Sequence, residues 1–119
     1  MMTSVISVAL GGALGAVLRF LVGLTVAFPI GTLAVNIIGS FAIGLLWVLL
    51  SARGLHHWSP FVMIGVLGGF TTFSTFSLDT LRLVENGRIA AAGGYVMASV
   101  VLSLVACAAG LWLARGVTA

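Results

Sequence analysis

The alternation of apolar and polar positions divides the chain into four long apolar runs separated by short polar breaks. A helix needs about 20 mainly apolar residues to cross a bilayer. The first run extends over 4–27, interrupted by one charge at Arg19, and Pro29 and Gly31 make the turn after it. The second covers 32–50 without a charge, and is followed by the polar loop SARGLHHWS with Pro60 placed as a first helical residue. The third covers 61–81 and ends before VENGR, a turn with Asn86-Gly87 at its tip. The fourth covers 89–113 and is closed by Arg115 and Gly116. This pattern predicts a single all-α transmembrane domain over residues 1–119, built from four spans.

Composition gives the same answer. The chain is 61% hydrophobic and 6% charged, whereas a soluble domain has about a quarter of its residues charged. Five arginines face only Asp79 and Glu85, too sparse a set for a nucleic-acid footprint. Cys107 is the single cysteine, so no intrachain disulfide forms. The N-terminus lacks a basic segment and a small-residue cleavage site, so no removable signal peptide is expected. Small residues at Gly11, Gly12 and Gly15, at Gly39 and Ser40, and at Gly93, Gly94 and Ala98 predict close helix packing.

The third span carries chemistry that an anchor does not need. GVLGGFTTFSTF (Gly65–Phe76) holds a glycine pair, two threonines, and hydroxyls alternating with phenylalanines. Irregular backbone at membrane depth is tolerated only against protein or a water-filled cavity. The stretch therefore predicts a helix broken near its middle at a permeation site. A break at Gly68-Gly69 would free carbonyls suited to a cation such as Na+. Phe73 and Phe76 share a face. They either pack and face lipid, or turn their positive ring edges toward a small anion.

Other spans offer companions. Tyr95, Ser99, Ser103 and Cys107 recur every four residues on one helix stripe. Such serines either bond back to the i−4 carbonyl or form a hydroxyl ladder for a passing ion. Asn36 is an amide in an uncharged run. It either glues helices together or presents its NH2 to an anion. Arg19 is either functional or snorkels to the interface. On the two sides of the membrane the loop and tail arginines divide two against two, Arg53 and Arg115 against Arg82 and Arg88, which leaves almost no bias for insertion. Opposite orientations would then pair as an antiparallel homodimer, whose eight helices enclose a path that four cannot.

GGALGAVLRF (Gly11–Phe20), GTLAVNIIGSF (Gly31–Phe41) and GVLGGFTTFSTFS (Gly65–Ser77) resemble the signatures of the Fluc/CrcB fluoride channels across all four spans. The resemblance implies a dual-topology, antiparallel homodimer in lipid of the bacterial cytoplasmic (inner) membrane. It implies passive export of fluoride that entered as HF, which lowers fluoride toxicity. It implies that Phe73, Phe76 and Asn36 line the path, with Ser74 and Thr75 close by and Tyr95, Ser99 and Ser103 as a polar track. Arg19 would lie at a vestibule. The carbonyls of Gly68 and Thr71 from both subunits would hold a structural Na+. Cys107 departs from the pattern where a threonine can end the track, and Asp79 where a glutamate can stand.

A small proton-coupled multidrug exporter is the alternative of similar size, but it needs a deep carboxylate in span one, and none is there. A non-conducting accessory subunit would explain the glycines but not the polar stripe beside Phe73 and Phe76. Two acids, the loop histidines His56 and His57, and one thiol make no catalytic set, so no enzyme is expected.

Overall fold

Two helices in this chain end where glycine supplies left-handed backbone. In the computed structural model, which describes residues 1–119, α1 runs Met2–Thr25 and stops as Val26 turns extended. Pro29, which has no N–H, caps the start of α2, Ile30–Ala52. Beyond α2, Gly54 takes φ +66°, its N–H donates to Ser51 O, and Leu55 N–H donates to Leu50 O. The same paired bonds recur at Gly87, φ +75°, from Gly87 to Val84 and from Arg88 to Leu83. Both are glycine-terminated helix ends of the Schellman kind.

A Cβ on left-handed backbone costs about 1 kcal/mol or more. Gly87→Ala is therefore expected to lower stability by about that amount, read as a lower thermal midpoint in detergent. Gly116→Ala, inside a helix with nothing near its Cβ, should not lower it.

The third span is not one helix. After a single 3₁₀ turn at His56–Trp58, Pro60–Leu67 forms a wide π-helical stretch. It continues into a short α3, Gly68–Phe70, and then the chain extends through Thr71 and Thr72 before α4, Phe73–Glu85. The last helix, α5, runs Ile89–Thr118. Met2–Thr25, Ile30–Ala52, His56–Glu85 and Ile89–Thr118 are each long and apolar enough to cross a membrane. The last two reach beyond the ends expected at 81 and 113.

Packing follows the small residues. α1 lies along Pro60–Phe70, and α2 lies along α5. A Cβ at Gly15 would run into Val66 O, and one at Gly69 would come 2.6 Å from Gly12 O. Likewise a Cβ at Gly44 would strike Cys107 O, and one at Gly110 would strike Phe41 O. α4 leans on α5, where Leu83, Ala92 and Tyr95 bury one another and Phe76 and Leu33 pack against them. Only 16 of 119 residues are buried. Most of the apolar surface faces outward, as it must where lipid replaces water.

Candidate functional site

The site grows out of the break at Thr71–Thr72. Two adjacent β-branched residues gain little from helical geometry, and each finds a local substitute for it. Thr71 Oγ1 donates to Leu67 O at 2.9 Å. Thr72, extended at φ −154°, ψ 126°, caps α4 by accepting from Thr75 N–H at 3.2 Å. From α2, Asn36 then clamps the extended residue on both backbone groups. Its Nδ2 donates to Thr72 O at 2.9 Å, and its Oδ1 accepts from Thr72 N–H at 2.8 Å. Of the two readings left open for Asn36, the interhelical bond is the one met, made to backbone of the third span. The amide holds broken backbone in place and keeps one N–H free.

That clamp decides which carbonyls are left over. A continuous helix would pair Gly68 O with Thr72 N–H, which Asn36 has taken, and Thr71 O with Thr75 N–H, which the Thr72 hydroxyl has taken. Gly69 O accepts from Arg19 Nε at 3.0 Å. The Gly68 and Thr71 carbonyls therefore lose their helical donors, while their neighbours at Gly69 and Thr72 gain side-chain partners.

Two recesses flank the break. The larger is a cleft of about 470 Å³ whose lining includes Asn36, Gly68, Thr71, Phe73, Phe76, Ser99 and Ser103. Its floor at Gly39 has no room for a side chain, because a Cβ there would strike Thr71 Cγ2. Phe73 and Phe76 meet edge to face, with centroids 5.4 Å apart and planes at 61°. Ser99 is 6% exposed, and its Oγ has no hydrogen-bond partner; it does not bond back to its own helix. The smaller recess, about 330 Å³, is lined by Arg19, Thr32, Thr72 and Thr75 among others.

Most of the residues singled out in the sequence meet at this cleft, and some are redistributed. The helix breaks at Thr71–Thr72, not at Gly68-Gly69. The glycine pair stays helical, and at Gly69 the absent side chain serves the contact with α1. Thr75 lines the Arg19 recess and not the cleft, and exposed Ser74 sits 3.3 Å from Thr72 Oγ1. Tyr95 lies behind the cleft wall, 5.4 Å from the Phe76 ring, and donates to Asp79 Oδ2 at 3.3 Å. Cys107 does not line the cleft; its carbonyl lies against Gly44. The four-residue stripe on α5 therefore contributes only Ser99 and Ser103 to the cleft.

Two participants escaped sequence reasoning. Thr72 is the residue the clamp holds, and its signal was a hydroxyl standing before a helical run. Asp79, noted in the sequence only as one of two acids and as standing where a glutamate can, is 4% exposed; its i,i+3 spacing to Arg82 marked a compensating partner.

Residues 6–111 match the family profile described as "CrcB-like protein, Camphor Resistance (CrcB)". The chain belongs to the CrcB family. Among its CrcB-family relatives, the fluoride-specific ion channel FluC of Paracoccus denitrificans is 56% identical over 119 residues, with 96% of each chain covered. The protein of the same name from Roseobacter denitrificans is 53% identical with 98% of each covered, and that from Ruegeria 50% with 98% of each covered.

Proposed function

We propose that this chain is a passive, fluoride-selective channel of the cell membrane that works as an antiparallel homodimer and lowers fluoride toxicity by letting the ion leave. The near-full-length likeness to channels named as fluoride-specific supports the ion. The observation that carries the path is the buried Ser99 hydroxyl, unpartnered in a cleft that it shares with two phenylalanines and an amide.

The cleft is one wall of a path. Phe73 is 77% exposed in the single chain, and an inverted second copy would cover it, consistent with arginines divided evenly between the two sides. Along that path the Ser99 and Ser103 hydroxyls, the free N–H of Asn36 and the edges of Phe73 and Phe76 replace the hydration shell of a small anion. None of these groups carries a full positive charge, so none holds the ion too tightly to release it. Ser74 and Thr75 flank the path, Tyr95 sets its wall, and the Arg19 guanidinium attracts anions at the vestibule. The Gly68 and Thr71 carbonyls, stripped of their helical donors, fit a hard cation. With the same carbonyls of a partner they would hold a structural Na+, which supplies fixed positive charge where the chain leaves backbone oxygen unpaired.

Efflux from proteoliposomes tests the proposal. Fluoride is expected to leave rapidly and chloride very slowly, with fluoride flux dependent on Na+. Equal rates for the two anions, or no fluoride flux, would overturn it.

A further inference from the structure

We propose that Arg82 is a positioning residue for conduction, one that neutralises the buried Asp79 carboxylate behind the Phe76–Tyr95 wall. The inference rests on the path proposed past Phe76.

Asp79 and Arg82 lie three residues apart on α4 and meet at 3.8 Å between Oδ1 and Nη1. The pair is unequal: the Asp79 side chain is 5% exposed and that of Arg82 53%. The other carboxylate oxygen of Asp79 accepts from Tyr95. No second cation contacts this carboxylate. Arg82 is itself held in place, with its guanidinium carbon 4.1 Å above the centre of the Phe28 ring in the α1–α2 loop. One side chain thus ties the far end of α4 to that loop while facing the only carboxylate near the cleft wall.

The electrostatics give Arg82 a task beyond folding. A half-exposed ion pair contributes little to stability. A buried carboxylate stripped of its partner is different, because its charge is poorly screened. Tyr95 packs on Phe76, and Phe76 lines the cleft, so an uncompensated Asp79 would stand one ring behind the anion's path. At roughly 10 Å and an effective dielectric of about 20, two like charges change an occupancy about tenfold. Tyr95 cannot replace Arg82, since a hydroxyl donor stabilises the carboxylate without cancelling its charge.

The test is fluoride efflux from proteoliposomes for Arg82→Gln, Arg82→Lys, Asp79→Asn and the Asp79→Asn/Arg82→Gln pair, with dimer integrity checked by gel filtration. Arg82→Gln is expected to lower flux roughly tenfold and to raise the fluoride concentration at half-maximal flux. Arg82→Lys keeps the charge and should retain most of the flux, and the double variant should recover flux relative to Arg82→Gln. Unchanged flux in Arg82→Gln, or equal loss in Gln and Lys variants, would overturn the inference. So would a double variant no better than Arg82→Gln while Asp79→Asn alone conducts. If Asp79→Asn alone is silent, the comparison of Lys with Gln decides. Phe76→Ile, run in parallel, separates the two readings: if it conducts normally the path itself is wrong, whereas its silence beside a normal Arg82→Gln refutes only the role of Arg82.

Discussion

Asn36→Asp is expected to abolish fluoride efflux from proteoliposomes, while the purified protein remains folded and elutes as wild type does. The reason lies in the two bonds of the clamp. An aspartate can still accept from Thr72 N–H, but its second oxygen would face Thr72 O, acceptor against acceptor, where Nδ2 now donates at 2.9 Å. Losing a partly buried hydrogen bond and leaving the carbonyl unpaired costs about 1–3 kcal/mol. The variant also places a carboxylate in the cleft proposed as the anion's path. Together these predict a fall in flux of about two orders of magnitude or more. Asn36→Gln serves as the control for amide chemistry at the wrong reach, and should also lose flux because both bonds depend on the short side chain. Near-normal flux in Asn36→Asp would remove the clamp from the mechanism.

Phe76→Ile is expected to silence the channel by a different route. Isoleucine keeps the apolar character, so it still packs against the cluster of Leu83, Ala92 and Tyr95, and the protein should stay folded. What disappears is the ring, with its positive edge and its contacts to Phe73 and Tyr95, both at 5.4 Å between centroids. Aromatic pairing adds about 0.5–1.5 kcal/mol beyond area, so a modest loss of stability accompanies the loss of function. The same efflux assay checks it. Rapid fluoride flux through Phe76→Ile would mean that ring edges do not contact the ion.

Much of this protein is legible without coordinates because a bilayer imposes simple rules. Four apolar runs of about 20 residues leave few folds open; the glycines of the first span announce its close approach, whereas a Cβ at Gly93 or Gly94 would meet nothing and the last helix packs closely at Gly110 instead. The chemistry in Gly65–Phe76 is equally plain, since hydroxyls and paired glycines are costly in lipid unless they are used. The error lay in the position of the break. Glycines are the usual weak points of a helix, yet here Gly68 and Gly69 remain helical and the threonines extend. A glycine pair in sequence does not reveal whether its missing side chains serve bending or packing; Gly12 O, 2.6 Å from where a Gly69 Cβ would lie, answers for packing.

The α5 stripe teaches the same lesson from the other direction. Four-residue periodicity correctly put Tyr95, Ser99, Ser103 and Cys107 on one drifting line. It could not say where along that line the cleft begins and ends, because those limits are set by α4 and α2. Tyr95 is drawn to Asp79 and Cys107 passes beneath Gly44, leaving the two serines.

By itself, then, the sequence determined the class of solvent, the number of spans, the turn at Asn86-Gly87, and the stretch where function concentrates. All of these depend on local backbone preference or on the hydrophobicity of a continuous segment. Only the tertiary structure decided which residue is extended, which carbonyls are free, and which hydroxyl stays unpaired. Those outcomes turn on partners 36 and 50 residues away, Asn36 on Thr72 and Arg19 on Gly69. Hydrogen bonds over such separations leave no periodic trace in the chain; they exist only once the helices have packed.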